Sequence, residues 1–455
     1  MGMIQTFKQA WKIPEMKKKL IFTLIMLIVF RFGSNIPVPG VNKELLAQMF
    51  NANDAGLLGL FDMFTGGSFS QFTVFALGIG PYITASIVLQ LLTVAIPALE
   101  ELAKQGEEGR KKINKITRYT AIGLALIQGI GYTFGLFRGV LTDQSVFAKI
   151  VIVLVLTAGT AFLIWLGEQI DQKGIGNGIS LLIFAGIITR IPTMISNAVR
   201  YLIKGKASTQ YIIDSESGTL SPQTVYTGQP AAGVRALIGI AVVIFALAVI
   251  VGIILITEGN RKVPVQYAKR VVGRKMYGGQ SSHIPMKVNQ AGVIPVIFAV
   301  SLLQIPMTIA YMTGTDSGFY KFVHKYLSSS GNPGTYIYFI FNIILIIAFT
   351  YFYGQISLNP TEIADNLKNN GGFIPGIRPG KPTVEYITKI ANRLTIVSAI
   401  FLAIVASLPT LISALTGASA GFGGTSLIIA IGVALDTQRA LETQLVMRNY
   451  SGFLK

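Results

Sequence analysis

Long uncharged apolar runs alternate with shorter polar segments along the whole chain. An α-helix needs about 20 apolar residues to cross a hydrocarbon layer roughly 30 Å thick. Runs that can each cross once lie at about 20–37, 72–97, 119–137, 148–167, 178–199, 234–256, 291–312, 336–358, 394–415 and 423–441. The pattern predicts an all-α polytopic membrane protein with ten transmembrane helices.

The ten spans form two halves of five on either side of a polar external segment. The predicted units are a cytoplasmic amphipathic N-terminus, an N-terminal half, an external loop or hairpin, a C-terminal half and a cytoplasmic tail, at 1–19, 20–203, 204–233, 234–441 and 442–455. Because each half has an odd number of spans, the halves enter the membrane from opposite sides, as inverted repeats do. A site at their interface would lie near the membrane midplane.

One stretch, about 56–97, departs from the simple pattern. Its first part, 57–64, is too short to span and is predicted to dip into the membrane. Its second part is long enough to span, but it contains Gly78, Gly80 and Pro81 within an apolar run. Such breakers survive at membrane depth where the backbone faces protein or a water-filled cavity. The stretch therefore indicates a pathway through the membrane.

Composition and charge agree with this class and set the orientation. The 455 residues are 51% hydrophobic and 13% charged, and the formal net charge is +18. Lys and Arg are concentrated in segments predicted inside, with seven of them in 257–290, so the positive-inside rule puts both termini in the cytoplasm. Cysteine is absent, which excludes disulfides and thiolate metal sites. The first apolar run lacks a small-residue cleavage site, so no cleavable signal peptide is expected.

The spans lack the groups that drive catalysis or ion-coupled transport. None of the twenty acidic residues falls near the middle of a predicted span, although coupled transporters usually keep such groups there. His283 and His324 are predicted in loops on opposite faces, and no Walker A loop is present. These absences disfavour a secondary transporter and an intramembrane hydrolase. We expect no enzyme activity and no cofactor, with energy supplied by a partner or the membrane.

Isoleucines stand beside the helix breakers of several spans. Isoleucine is common in membrane helices, so these residues could simply face lipid or neighbouring helices. Alternatively, they could form a ring of branched apolar side chains that narrows a pore and gates it by dewetting. The residues are Ile79, Ile83, Ile179, Ile183, Ile297 and Ile429.

Six long segments, taken in order, are similar to the SecY family, the channel subunits of the bacterial protein translocase. They are FALGIGPYITASIVLQLL (75–92), KQGEEGRKKINKITRY (104–119), GIGNGISLLIFAGI (174–187), KVNQAGVIPVIFA (287–299), NPTEIADNLKNNGGFIPGIRPG (359–380) and GGTSLIIAIGVALD (423–436). The resemblance implies two inverted five-helix halves around a central pore. It also implies passage of unfolded secretory polypeptides across the bacterial cytoplasmic membrane and sideways release of transmembrane segments into lipid.

The same resemblance assigns roles to residues. It favours the pore ring for the six isoleucines, and it implies a plug at about 57–70 that fills the external funnel of the resting channel. An external helix at the membrane interface remains the alternative for this segment. The apolar and acidic plug residues are Leu57, Leu58, Leu60, Phe61, Asp62, Met63 and Phe64.

A lateral gate is implied between the second and third spans on one side and the seventh and eighth on the other. Polar side chains on these apolar helices could hold the seam shut by interhelical hydrogen bonds, or serve only ordinary packing. They are Thr84, Gln90, Gln128, Ser301 and Gln304.

The cytoplasmic loops are implied as a docking surface for a ribosome or the motor ATPase SecA. Basic side chains suit phosphate or acidic partners. The docking residues are Arg261, Lys262, Lys269, Arg270, Arg274, Lys275, Lys287, Arg378 and Tyr450. The other implied partners are the SecE and SecG subunits, signal peptides, translocating polypeptides and anionic lipids.

Overall fold

The computed structural model describes most of the chain. The described residues are 3–52, 62, 65–204, 206–213, 220–227, 232–267, 270–272, 275–277, 281–314, 317–327, 334–416 and 424–451.

Helices account for most of the described residues. They are α1 (Met3–Lys12), α2 (Pro14–Gly33), α3 (Lys43–Ala52), α4 (Gly80–Ala95), α5 (Pro97–Lys104), α6 (Glu107–Gly131), α7 (Val146–Lys173), α8 (Gly178–Lys204), α9 (Ala232–Glu258), α10 (Ile294–Met312), α11 (Gly318–Leu327), α12 (Gly334–Ser357), α13 (Pro360–Asn369), α14 (Lys381–Thr416) and α15 (Gly424–Ser451). A π-helical segment, Tyr132–Leu136, continues α6.

Each predicted span coincides with a helix of the described chain, namely α2, α4, α6, α7, α8, α9, α10, α12, α14 and α15. Within the described residues, five stretches are long and apolar enough to cross a membrane alone, or six if α4 and α5 form one bent span. Shorter apolar stretches lie at Gly178–Thr193 and Ala246–Glu258. Several apolar membrane spans are thus present, while the total of ten remains a prediction.

The second predicted span is wrong at its start, because its helix begins at Gly80 rather than near residue 72. Proline has no N–H to donate and has a fixed φ, so Pro81 suits the first helical turn instead of interrupting a longer helix. Gly78 precedes it with a φ of +56°, in the left-handed region that glycine tolerates. At sixteen residues, α4 is only about 24 Å long, and it meets α5 at a bend of 100°.

The largest hydrophobic core joins the two halves of the chain. Ile87 of α4, Leu166 of α7 and Leu182 of α8 belong to the same buried cluster as Val296 of α10 and Ile428 of α15. Ile87 is 2% exposed, and the other four side chains are fully buried. Burial of this apolar surface places the interface between the halves at the centre of the bundle.

A small three-stranded sheet brings together two segments that the charge pattern predicts to be cytoplasmic loops, 257–290 and 359–393. The described strands form three separate sheets and are β1 (Lys206–Ile213), β2 (Leu220–Thr227), β3 (Asn260–Tyr267), β4 (Arg270–Val272), β5 (Lys275–Tyr277), β6 (Ser281–Lys287) and β7 (Gly372–Phe373). The sheet has the order β6-β3-β7 with antiparallel pairing, so segment 257–290 is joined to segment 359–393. Val263 and Val265 alternate with exposed neighbours on β3 and pack in a local core. The two loops therefore form one body.

The N-terminus packs against the C-terminal helix. Thr6 Oγ1 donates to Glu442 Oε1 at 3.1 Å, and Lys19 Nζ donates to Gln444 Oε1 at 3.2 Å. Hydrogen bonds from Gln438 and Thr6 lower the pKa of the Glu442 carboxyl. Helix α15 runs to Ser451, so the predicted tail at 442–455 begins as a continuation of that helix.

Two smaller expectations also meet the structure. The segment predicted to be external, 204–233, contains the antiparallel pair β1–β2, as the loop-or-hairpin prediction allowed. Both histidines lie between predicted spans, but within regular structure, because His283 lies in β6 and His324 lies in α11. His324 stacks on Tyr320, one helical turn away, with ring centroids 5.6 Å apart.

Candidate functional site

Four of the six predicted ring isoleucines line one small cavity in the centre of the bundle. Its volume is about 20 Å³, which is enough for roughly one water molecule. The lining consists of Ile79, Ile83, Ile183 and Ile297, together with Thr65, Gly80, Ser301 and Gln304. Side chains far apart in sequence and drawn from both halves therefore converge on one narrow space.

Ile179 and Ile429 lie beside this cavity rather than on its wall. Ile429 is fully buried in the central core, and Ile179 packs against the same core. The Ile179 Cδ1 atom lies 2.7 Å from where a Cβ at Gly167 would stand, so this isoleucine fills the gap between α7 and α8. The structure groups all six isoleucines in one cluster but separates four lining residues from two supporting ones.

The lining isoleucines lie at the beginnings of their helices. Ile79 is the residue before α4, and Ile297 follows Pro295 in the first turn of α10. On α8, the Asn177 Oδ1 atom accepts a hydrogen bond from Ser180 N at 2.9 Å and caps the helix that carries Ile183. The residues that begin each helix thereby determine where its isoleucine lies in the cavity wall.

Residues 65–70 reach the cavity through Thr65. Thr65 is buried and lines the cavity, and its Cγ2 lies 2.7 Å from where a Cβ at Gly78 would stand. Gly66 has a φ of +67°, and a Cβ there would lie 2.8 Å from the Cα of Gly186 on α8. Only glycine at this position allows so close an approach of the two backbones. The segment is therefore fitted tightly against the wall of the centre.

Of the predicted plug residues, Asp62 is described. It is 4% exposed, and its Oδ1 accepts a hydrogen bond from Ser70 N at 2.7 Å. The other plug residues lie outside the described residues, namely Leu57, Leu58, Leu60, Phe61, Met63 and Phe64.

The predicted gate residues differ in what they contact. Gln90 bonds across the seam, because its Oε1 accepts a hydrogen bond from the Tyr353 hydroxyl of α12. Thr84 donates within its own helix, to Gly80 O at 3.1 Å. Ser301 and Gln304 line the cavity, and Gln304 Nε2 has no hydrogen-bond partner among the described residues. No side-chain hydrogen bond from Gln128 is found in the described part of the chain.

Sequence reasoning missed three polar residues of the seam. The Tyr132 hydroxyl lies 3.3 Å from Thr308 Oγ1 and joins the end of α6 to α10, while Tyr353 joins α12 to α4 through Gln90. A tyrosine within an apolar span usually finds a partner for its hydroxyl. That signal was available in the sequence, but it could not identify the partner.

The seam is also closely packed where α6 meets α10. A Cβ added at Gly131 would collide with Met312 Cγ, and a Cβ added at Gly135 would collide with the Tyr311 carbonyl oxygen. These glycines let two helices from opposite halves approach backbone to backbone.

Four of the predicted docking residues lie on or beside the β6-β3-β7 sheet. Arg261 and Lys262 on β3 and Lys287 on β6 are exposed. Arg378 is exposed on the loop after β7, between Gly376 and Gly380 with φ values of +82° and +101°. Its carbonyl oxygen accepts a hydrogen bond from Thr383 Oγ1 at 2.9 Å. Lys269 and Arg274 lie outside the described residues, as do the side chains of Arg270, Lys275 and Tyr450.

The comparisons with known proteins decide the family. The SecY family model matches residues 73–438. The chain belongs to the SecY family. It is 45% identical over 463 residues to the protein translocase subunit SecY of Halalkalibacterium halodurans, and the match covers all of both chains.

Solved structures show that the family fold is shared. A SecY structure, described for a plug domain that stabilises the closed state of the translocation channel and maintains a membrane seal, aligns with a TM-score of 0.60 at 20% identity, over 94% of this chain and 92% of that one. Sec61 in the canine ribosome-channel complex from the endoplasmic reticulum aligns with a TM-score of 0.56 at 20% identity, over 94% and 93% of the two chains. The all-α architecture expected from the resemblance is confirmed.

Proposed function

We propose that this chain is the channel subunit of a protein translocase and conducts unfolded secretory polypeptides across a bacterial cytoplasmic membrane. The observation that carries this proposal is the central cavity, where isoleucines from both halves meet and Thr65 forms part of the wall. A narrow apolar constriction passes a chain of any sequence because it offers no hydrogen bonds that would trap it. The same constriction excludes ions by remaining dry.

The pore ring would consist of the four cavity-lining isoleucines, held in place by Ile179 and Ile429. Branched side chains at χ1 are stiff, and their tight packing explains a resting cavity of only about 20 Å³. Opening then requires the two halves to separate rather than individual side chains to move away.

The lateral gate would be the seam of α4 and α6 against α10 and α12. Its cross-seam hydrogen bonds are Gln90 with Tyr353 and Tyr132 with Thr308. Interhelical hydrogen bonds in membranes contribute about 0.6 kcal/mol each. A few bonds of this strength suit a seam that a hydrophobic signal helix must part and that must close again afterwards.

The β6-β3-β7 sheet would face the cytoplasm and bind the partner that supplies energy, either a ribosome or SecA. The exposed cations of β3, β6 and the Arg378 loop face solvent on one body, and a basic surface attracts phosphate or acidic protein. SecE and SecG would complete the complex in the membrane. The passing ligands would be signal peptides and translocating polypeptides.

Helix α1 would rest on anionic lipid at the cytoplasmic surface. Phe7 and Trp11 are 46% and 47% exposed, and Lys8 and Lys12 are exposed on the same helix. Apolar and basic side chains together are typical of helices that lie in the headgroup region. This placement would leave both termini in the cytoplasm.

The proposed function is tested with the chain reconstituted into vesicles together with its co-purifying subunits. We expect energy-dependent protection of a secretory polypeptide from external protease, in vesicles that stay ion-tight at rest. Deleting residues 57–70 should raise the resting ion conductance at least about tenfold, because the external closure is gone. Saturable uptake of a small solute without polypeptide protection would instead indicate a transporter.

Replacing Arg378 by alanine should lower partner-driven translocation at least about tenfold, since it removes a cation from the docking surface. The resting conductance should not change, because Arg378 does not line the cavity. Arg110→Ala, which removes an exposed cytoplasmic arginine outside the docking set, is the matched control and should keep translocation within about twofold. Equal losses in both variants would contradict a specific docking role.

A further inference from the structure

A buried ion pair connects Asp62, and through it the turn at 65–70, to α8. The Arg190 guanidinium of α8 pairs with the Asp62 carboxylate. The carboxylate side chain is only 6% exposed, and the arginine side chain is 30% exposed. A carboxylate this deeply buried requires a compensating charge, because desolvation of an unpaired ion is costly.

The pair is part of a connected hydrogen-bond network. Arg190 Nη2 also donates to Ser70 Oγ at 3.2 Å, while Asp62 Oδ1 accepts from Ser70 N at 2.7 Å. The Asp62 carbonyl oxygen accepts from Gly67 N at 2.9 Å and from Thr65 Oγ1 at 3.1 Å. One arginine thus holds both ends of the turn that carries Thr65.

The turn connects this network directly to the cavity. Thr65 lines the same cavity as Ile79 and Ile183, so displacement of the turn opens one wall of the constriction. The arginine itself does not line the cavity. Arg190 therefore acts on the constriction only through the turn that it holds.

We propose that Arg190 is a positioning residue whose ion pair with Asp62 latches the 65–70 turn over the pore and sets how often the resting channel opens. This inference rests on the proposed channel function. When the turn leaves, the Arg190–Asp62 ion pair must break. The latch thereby favours return of the turn after each passage.

Single charge removals should loosen the latch. In vesicles holding the full chain with its co-purifying subunits in sodium chloride, Arg190→Gln and Asp62→Asn should each raise the resting conductance about tenfold. Arg138→Gln, which removes an exposed external arginine, should leave the conductance unchanged. Arg190→Lys keeps the charge but loses the planar fork, so its conductance should lie between wild type and Arg190→Gln.

The double variant Asp62→Asn with Arg190→Gln decides the matter. If the two residues act as one pair, its conductance should rise about tenfold, whereas independent effects would multiply to about a hundredfold. Independent effects, or single variants as tight as wild type, would overturn the latch. Deletion of residues 57–70, measured in parallel, distinguishes the latch from the channel function. If the deletion variant conducts ions while the single variants stay ion-tight, the latch is wrong and the proposed channel function still holds. An ion-tight deletion would count against the channel closure itself.

Discussion

Replacing Ile183 and Ile297 together by alanine is expected to raise the resting ion conductance at least about tenfold. Both side chains line the cavity, one from each half of the chain. Their truncation enlarges a space that now holds roughly one water molecule, so a continuous file of water can form. Single-channel recording in planar bilayers with the purified complex measures the change directly.

A matched pair on the same two helices provides the control. Ile188 on α8 and Ile309 on α10 are 42% and 47% exposed and do not line the cavity. Their replacement by alanine makes the same chemical change on the outer faces and should leave the bilayer ion-tight. A leak of equal size from both double variants would mean that general loosening, rather than the ring, controls conductance.

A disulfide across the seam should stop translocation almost completely. The α6–α10 side of the seam brings Gly131 and Met312 into close contact, because a Cβ at Gly131 would collide with Met312 Cγ. A cysteine sulfur at position 312 takes the place of that Cγ, which puts the two sulfurs within bridging reach. Oxidising Gly131→Cys with Met312→Cys should therefore lock the halves together and reduce polypeptide protection at least about tenfold.

The chain has no cysteine of its own, so the introduced pair alone responds to redox conditions. Reductant should restore translocation, and the single variant Met312→Cys should be insensitive to oxidation. A second pair, Gly129→Cys with Val153→Cys, joins α6 to α7 within one half, where the built Cβ lies 3.5 Å from Val153 Cγ1. That crosslink should leave translocation unchanged. Equal inhibition by both crosslinks would argue against separation of the halves at this seam.

Much of the candidate site could be located from the sequence because its signals are local. Glycine, proline and asparagine beside the isoleucines mark helix starts, and the structure places helix starts there. The same residues led to a wrong predicted start for the second span. The apolar pattern predicts Pro81 as a break within a helix, whereas Pro81 occupies the first turn of a shorter helix.

For the seam contacts, the sequence could indicate one polar residue of a pair but not its partner. Gln90 stood out as a polar residue in an apolar helix, but its partner Tyr353 lies 263 positions further along the chain. Tyr132 and Thr308 are 176 positions apart. Hydrogen bonds between such distant residues depend on how whole helices cross, and no local pattern records that crossing.

The sequence by itself determined the class, the helices and the family of this protein. Apolar run length and charge asymmetry suffice for the class and the helices. The hydrogen bonds of a helix join near neighbours in the sequence, and in lipid every backbone polar group must be hydrogen-bonded within the protein. Only the tertiary structure decided that four isoleucines line the cavity while Ile179 and Ile429 support them. It alone paired Asp62 with Arg190, because a buried charge finds its partner through the packing of distant segments.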